Sequence, residues 1–548
     1  MRAVIAIPLS LMLLVPALGE DTKPAEQAPT LTSRSELVLV PTLVRDKSGS
    51  PIAGLSKSDF ALLENGAEQK IAVFEEIKTA AVPAKRATLP AGEFSNYLVG
   101  QPALRRITII VMDSINTQFA DRAYAREQIL KFLQEMAGDN DPIALLWLNR
   151  GGIKVVHDFT TDPIVLAKAL RRSKPAAETP FVDSEESLPD PTVLGESQQL
   201  ASMMDNMEQN LLAAQRMLAV QLTLDGMQQI AKAYAAVPGR KSLIWASGGF
   251  PFSIDDMSRV LSGSAGLPSY LNDILPYYER TWQALNDANI ALYPVDVRGL
   301  VVLGPSAGSR VSASNFGRVS QRAHLTHMDT LATFSEFAEM TGGQAYFNTN
   351  GLTHAFHDAV NDSASYYMLG FYLTQGDRRP GWRKLQVKVA HAGAHVRARS
   401  GFYVMPEEKS KDKARVSDIA LAMNSPLDFT SLPVLARWTE VAPDGDKKRA
   451  VFELVLPANA AIIDETDQNH MSVDFEAAVR APEGKIVASH GRTVDAHLKP
   501  DAVAQIRASG ITYKGDLDLP AGEYTVRFVV RDNLSGRMGS VAAPLKVP

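Results

Sequence analysis

Short apolar runs alternate with longer amphipathic stretches through the middle of the chain. Six runs rich in β-branched residues predict buried strands, at 107–113, 143–149, 153–159, 242–247, 290–296 and 343–347. Five longer stretches between them predict helices, at 121–136, 162–172, 197–235, 272–288 and 329–340. Strands that alternate with helices are typical of a doubly wound, mostly parallel α/β sheet with helices on both faces.

Strand signals flank this region on both sides. Residues 34–78 contain an Asn65-Gly66 pair that predicts a two-residue hairpin turn. Residues 365–404 contain three further strand-like runs, at 366–372, 382–389 and 395–403. Two or three strands are too few to cover a hydrophobic face alone. We therefore expect one β-sandwich split in sequence, with an α/β domain at 104–350 inserted between its halves.

The final part of the chain has its own strand pattern. Residues 405–415 are rich in Glu and Lys and predict a charged linker. Residues 416–548 contain strand-like runs separated by Pro and Gly turn signals, which predict an immunoglobulin-like β-sandwich. Two long connections, 173–196 and 299–326, predict surface loops.

The first residues have the pattern of a targeting segment. Met1-Arg2, an apolar run from Ala3 to Val15 and small residues up to Gly19 predict a signal peptide over 1–19. Residues 20–33 are polar and contain two prolines, which predicts a flexible linker. No later stretch reaches the ~18 apolar residues of a membrane-spanning helix. We expect a secreted, periplasmic or cell-envelope protein with no transmembrane segment after the signal peptide.

Composition narrows the classes of partner. The chain has 56 Lys and Arg against 61 Asp and Glu, a net charge of −5 without a dominant basic block, so nucleic acid is not an expected partner. The absence of cysteine from the sequence excludes disulfides, thiolate metal sites and a cysteine nucleophile. Stability must therefore come from packing alone.

Asp113 is the leading candidate for a functional residue. It ends the run 107–113 and is followed by Ser114 and, three residues later, by Thr117 before the next helix. In a doubly wound sheet the ligand binds beyond the carboxyl ends of the strands, so this carboxylate is expected to point into a crevice. A role in capping or ordering the loop is the alternative.

Several segments resemble the von Willebrand factor type A (VWFA) domain, and they are most similar to the secreted bacterial VWFA-related proteins of the acidobacterial type. The resemblance spans roughly residues 35–405. It rests on 107–117, 159–162, 239–250, 291–296 and 341–345, and outside the domain on 55–60 and 366–372. It implies a VWFA-like sheet that carries a metal-ion-dependent adhesion site.

That family site takes Asp-x-Ser-x-Ser, a Thr and a second Asp as oxygen ligands, a set suited to Mg²⁺. Asp113 matches the leading Asp, and Thr117 stands for the last hydroxyl. Thr179 and Asp296 are candidates for the remaining ligands. The resemblance therefore implies Mg²⁺ or another divalent cation at these four residues.

Two positions depart from the family pattern. Ile115 occupies the middle hydroxyl position, and Ser247-Gly248-Gly249 stands where the family reads Thr-Asp-Gly. The adhesion site is therefore degenerate. Without the metal, Asp113, Ser114, Thr117 and Ser247 are expected to bind the ligand directly.

The expected function is binding and not catalysis. We expect an exported, adhesion-type protein whose loop face binds a protein or another extracellular ligand. One alternative is a hydrolase that uses Ser247, since residues 245–249 match part of the Gly-x-Ser-x-Gly motif. The other is a structural scaffold of an envelope or secretion assembly. A methionine cluster on the long helix, Met203, Met204, Met207 and Met217, is either an adaptable partner surface or a packing stripe.

Overall fold

A computed structural model describes residues 36–79, 89–96, 106–136, 141–173, 198–250, 269–299, 330–349, 351–373, 381–404, 411–444 and 447–548. The strands are β1 (Glu36–Arg45), β2 (Phe60–Glu64), β3 (Ala67–Gln69), β4 (Val73–Lys78), β5 (Glu93–Ser95), β6 (Ile107–Asp113), β7 (Ile143–Asn149), β8 (Gly152–Thr160), β9 (Lys241–Ser247), β10 (Ile290–Asp296), β11 (Ser365–Leu373), β12 (Gly381–Val389), β13 (His395–Arg397), β14 (Gly401–Val404), β15 (Leu435–Asp444), β16 (Lys447–Leu456), β17 (His470–Arg480), β18 (Ile486–His497), β19 (Ile511–Leu519), β20 (Gly522–Asp532) and β21 (Met538–Val547).

The helices are α1 (Phe119–Glu135), α2 (Pro163–Arg172), α3 (Gln198–Ala233), α4 (Ser269–Asp287), α5 (330–341), α6 (Leu352–Asn361), α7 (Lys411–Asn424) and α8 (Pro500–Ser509), and a 3-10 turn covers Lys57–Asp59. The sequence encodes some of their ends directly. Asp162 caps α2 by accepting hydrogen bonds from the backbone nitrogens of Ile164 and Val165, with Pro163 at the first helical position.

The central sheet has five strands in the order β10-β9-β6-β7-β8. The first three pairings are parallel, whereas β7 and β8 are antiparallel. Only Arg150 and Gly151 connect these two strands, and so short a connection permits only a hairpin. Every residue of β6, β9 and β10 is buried, because helices cover both faces of the sheet. The sheet is therefore mixed.

The predicted fold class is wrong. A VWFA-like doubly wound, mostly parallel sheet, inserted in one β-sandwich and followed by an immunoglobulin-like sandwich, was expected. Over the described residues the chain is mostly β, with five sheets of which four are antiparallel and one is mixed. The alternation of strands and helices overstated the parallel component, because β8 forms a hairpin and because most strands lie outside the central sheet.

Two antiparallel sheets bring together strands that are far apart in sequence. Their orders are β13-β1-β11-β4 and β14-β12-β2-β3, so segments 36–78 and 365–404 both contribute to each sheet. In the β2–β3 turn, Asn65 has φ 47° and Gly66 has φ 85°, the left-handed conformation that a two-residue hairpin turn requires. Phe60, Tyr367 and Phe371 are among the buried residues between these sheets.

Two further antiparallel sheets form the C-terminal part, in the orders β19-β16-β15-β5 and β18-β17-β20-β21. A cluster of buried residues that includes Phe452, Phe475 and Phe528 lies between them. The edge strand β5 comes from residues 93–95, more than 300 residues before its partner β15. Asn96, next to β5, anchors this strand to the C-terminal part by donating hydrogen bonds to the backbone oxygens of Phe429 and Leu432.

Element-level predictions have mixed outcomes. The bounds of β6, β7 and β10 are confirmed, and the predicted central helices correspond to α1–α5 within a few residues. The strand predicted at 343–347 is wrong, since only a single bridge from Tyr346 to Val295 occurs there. The run 395–403 divides into β13 and β14, which belong to different sheets. The segment predicted as a linker, 405–415, ends inside α7.

None of the helices in the described part of the chain is both long enough and apolar enough to cross a membrane. The segments predicted as a signal peptide (1–19) and a flexible linker (20–33), and the predicted loops at 174–196 and 300–326, lie outside the described residues.

Candidate functional site

The candidate site lies at one edge of the central sheet. Asp113, Ser247 and Asp296 are the last residues of the parallel strands β6, β9 and β10, and the register pairs Asp296 with Ser247. The carboxyl ends of parallel strands meet at the same edge of a sheet. We call this the loop edge, and it brings together three residues that the sequence marked as candidates.

The Asp113 carboxylate is buried, with 2% of the residue exposed, and hydrogen-bond donors surround it. Its Oδ1 accepts from the backbone nitrogens of Ile115 at 2.8 Å and Asn116 at 3.1 Å. Its Oδ2 accepts from Asn116 Nδ2 at 2.8 Å, Ser247 Oγ at 2.8 Å and Trp245 Nε1 at 3.2 Å. All five donors are neutral groups. Burial raises the pKa of Asp113, and the hydrogen bonds from Asn116 and Ser247 oppose that rise.

The loop after Asp113 is tied to the loop after β9. Thr117 Oγ1 accepts from the backbone nitrogen of Gly248 at 2.9 Å. A Cβ atom at Gly248 would lie 3.1 Å from the backbone oxygen of Asn116, tighter than an ordinary contact, so a glycine suits this close approach. Asn116 Nδ2 also donates to Thr223 Oγ1 on α3 at 3.0 Å. The loops after β6 and β9 and the helix α3 therefore form one hydrogen-bonded unit.

Arg122 donates hydrogen bonds to the backbone of the same loop. It is 3% exposed and donates to the backbone oxygens of Thr117 at 2.7 Å and Ser114 at 2.8 Å. Sequence reasoning missed this residue. One signal existed, because a cation in the first turn of a helix faces the positive end of the helix dipole and needs a local compensating contact.

The hydroxyl of Ser247 is hydrogen-bonded within the loops of the site. It lies 2.8 Å from Asp113 Oδ2 and 2.7 Å from the backbone oxygen of Gly249, and it accepts from Gly249 N at 3.3 Å. No histidine of the described chain is among its hydrogen-bond partners. Its partners are the Asp113 carboxylate and the backbone of its own loop, so these contacts order the loops after β6 and β9.

Three of the four predicted metal ligands lie in the described residues, and protein groups donate hydrogen bonds to the side-chain oxygens of each. The carboxylate of Asp296 accepts hydrogen bonds from the backbone nitrogen, Nε and Nη2 of Arg298, at 2.8–3.0 Å. The oxygens of Asp113 and Thr117 accept the hydrogen bonds described above, and Thr179 lies outside the described residues. Asn116 Oδ1 is buried without a partner within the described part of the chain, but a single amide oxygen falls far short of the about six ligands of Mg²⁺.

In the described part of the chain, the side-chain oxygens of Asp113, Thr117 and Asp296 are therefore already engaged by protein hydrogen-bond donors. In the ranges that the structure describes, no cluster of three or more His, Asp or Glu side chains is placed to hold a metal ion.

Large apolar side chains are exposed beside the loop edge. Phe119, the first residue of α1, is 71% exposed, and Met207, Leu211 and Leu218 on α3 are 75%, 59% and 45% exposed. Thr223 of α3 contacts Asn116 in the loop after β6, and Met207, Leu211 and Leu218 precede it on the same helix. We call these four side chains the loop-edge apolar residues.

The methionine cluster divides between two roles. Met207 is one of the exposed loop-edge apolar residues, whereas Met217 packs partly against the core. The side chains of Met203 and Met204 lie outside the described set. The histidines His354 and His357 of α6 contact Asp358 and Glu135 respectively and do not share a ligand.

Comparisons with known proteins add little to this geometry. No family model matches the chain, and no curated protein matches it. Among solved structures, the chain matches a β-glucuronidase of Bacteroides uniformis at 9% identity with a TM-score of 0.14, over 21% of this chain and 13% of that one. The overlap covers far less than two thirds of that protein. A likeness this weak carries no argument about fold or activity.

Proposed function

We propose that the protein is an exported, non-catalytic binding protein whose loop edge takes a protein or another extracellular ligand. The observation that carries the proposal is Phe119, a large aromatic side chain that is 71% exposed directly after a loop held by buried hydrogen bonds. Exposed aromatic residues on rigid supports are frequent anchors of protein interfaces. They lose little conformational entropy on binding, because the supporting loop is already ordered.

The helix α3 supports the same proposal. Met207, Leu211 and Leu218 are spaced by four and seven residues, which places them on one face of the helix. At 1.5 Å per residue they lie about 24, 18 and 8 Å beyond Thr223 along the helix axis. Exposed apolar groups of this extent favour a binding surface over a purely solvated helix.

The chemistry at Asp113 and Ser247 favours binding over hydrolysis. The carboxylate accepts five hydrogen bonds from neutral donors, so it organises the loops and is not directed at a substrate. In this proposal the candidate ligand-binding residues Asp113, Ser114, Thr117 and Ser247 act indirectly. They hold the backbone of the loop edge in the shape that the ligand contacts.

Sedimentation of the purified chain with the envelope fraction of the source cells tests this function. We expect Phe119→Ser and Leu211→Ser each to weaken the apparent affinity for the envelope fraction by at least about tenfold. The matched control is Ile486→Ser, which removes a 48% exposed apolar side chain from β18 in the C-terminal part. Equal losses in all three variants, or no binding by the wild type, would contradict the proposal.

A further inference from the structure

A cleft of about 160 Å³ opens at the edge of the central sheet opposite to the loop edge. It lies between β1, the C-terminal end of α4 and the connection from β13 to β14. The backbone oxygen of Asn289, in its wall, accepts from Lys241 N at the start of β9, which fixes its position at that edge. Its apolar walls include Leu37, Leu39, Phe402 and Tyr403, and its polar walls include Asn286 and Arg399.

Arg399 has unusual surroundings for a buried arginine. The residue is 8% exposed, and its guanidinium carbon lies 5.9 Å from the centre of the Phe402 ring. Over the described residues the guanidinium makes no hydrogen bond, and its Nε is buried without a partner. Arg122 and Arg527, which are equally buried, each donate to two or more backbone oxygens. Burial lowers the pKa of Arg399 to about 10, against the attraction of Asp287.

Asn286 is a second buried polar residue in the wall of the same cleft. The residue is 8% exposed, and its Nδ2 is buried with no hydrogen-bond partner among the residues that the structure describes. Buried polar groups in proteins are normally paired, so each exception calls for an explanation. The guanidinium of Arg399 has no hydrogen-bond partner over the described residues, and an occupant of the cleft with acceptor oxygens would supply one.

We propose that this cleft binds a small monocarboxylate with an apolar or aromatic body. A guanidinium presents parallel N–H groups that match both oxygens of a carboxylate. The side chains of Leu37, Leu39 and Phe402 supply the contact for the apolar body. The volume is below the about 300–1,000 Å³ of drug-sized pockets, so the ligand is of fragment size.

Asp287 limits the charge of the ligand. Its carboxylate lies on the exposed rim of the cleft and attracts Arg399. A second negative charge on the ligand would be repelled there, so a monocarboxylate is preferred over a dicarboxylate. The site is separate from the loop edge and does not depend on the proposed function.

Calorimetric titration of the full chain with phenylacetate, phenylacetamide and succinate tests the proposal. We expect saturable binding of phenylacetate with a Kd of about 1 mM or tighter. Phenylacetamide, which has the same shape without the charge, and succinate, which has two charges, are expected to bind at least about tenfold more weakly.

Three variants locate the binding. Arg399→Met keeps the length of the side chain and breaks no hydrogen bond within the described part of the chain, so it is expected to fold and to lose binding by at least about tenfold. Asn286→Asp adds a negative charge to the wall of the same cleft, which repels a carboxylate ligand, so it is expected to lose binding as well. Lys546→Met removes a positive charge from the exposed end of β21 and is expected to bind as the wild type does.

The outcomes are distinct. Loss of phenylacetate binding in Asn286→Asp, with retention in Lys546→Met, supports the site even where Arg399→Met fails to fold. Absence of phenylacetate binding in the wild type overturns the proposal and leaves ordered water as the partner of the donors. Equal affinity for phenylacetate and phenylacetamide, or full binding by Asn286→Asp, overturns it as well.

Discussion

Asp362 joins the central sheet to the split β-sheets, and replacing it by asparagine should be costly. The residue follows α6 and is buried. Its Oδ1 pairs with Arg45 Nη2 at 2.5 Å, and its Oδ2 pairs with Arg397 and accepts from Tyr293 OH at 2.8 Å. Asp362→Asn keeps the shape of the side chain but leaves two arginines without their anion.

The magnitude follows from the burial of the three partners. Removing one member of a buried ion pair typically costs about 3–5 kcal/mol. The side chains of Arg45 and Arg397 are 21% and 26% exposed, so water can solvate their charges and reduce the cost of losing the carboxylate. We expect Asp362→Asn to lower the free energy of unfolding by about 2–4 kcal/mol.

Urea unfolding followed by far-UV circular dichroism and tryptophan fluorescence measures this change. The matched control is Asp358→Asn, one turn earlier on α6. Its side chain is 38% exposed and accepts from Tyr346 OH at 3.0 Å, so we expect a loss below about 1 kcal/mol. Similar small losses in both variants would refute the claim that Asp362 anchors the two parts.

Three further predictions concern other parts of the chain. Burial lowers the pKa of Lys241 to about 7, so the folded protein favours the neutral amine above that pH. The stability that this residue contributes is therefore fully present above the pKa of the unfolded chain, and it is lost as the pH falls through about 7. Wild type should therefore gain unfolding free energy relative to Lys241→Met as the pH rises from about 7 to about 10, and a flat difference would contradict this. Gly343→Ala places a Cβ atom 1.8 Å from the backbone oxygen of Leu292 and should cost more than about 3 kcal/mol, whereas the control Gly351→Ala meets only Thr349 Oγ1 at 3.6 Å and should be nearly silent in the same unfolding assay. Mg²⁺, Mn²⁺ and Ca²⁺ should leave the thermal midpoint unchanged, and a saturable rise that Asp113→Ala lacks would restore the metal site.

Continuous apolar runs made the central strands predictable. The bounds of β6, β7 and β10 follow from their apolar residues, because each strand is buried on both faces. The pairing of strands was less predictable. The apolar content of a strand does not indicate its direction. The antiparallel pairing of β8, and the passage of the chain from one sheet to another at 398–400, could therefore not be predicted.

The site was predictable only in part. Asp113, Thr117 and Ser247 do meet through hydrogen bonds at and between their loops, as their positions after strands indicated. Asn116, Arg122 and Trp245 complete that network, and only Arg122 had a sequence signal, a cation in the first turn of a helix. Arg399 was missed for a physical reason, since its cleft forms only where segments 360 residues apart come together.

Cross-linking from position 119 tests the central claim most directly. The photoreactive residue p-benzoylphenylalanine replaces Phe119 in one protein and Ile486 in another, both at exposed apolar positions. Irradiation with the envelope fraction is predicted to give a discrete adduct from position 119 and none of that size from position 486. No adduct from position 119, or the same adducts from both positions, would contradict a binding face at the loop edge.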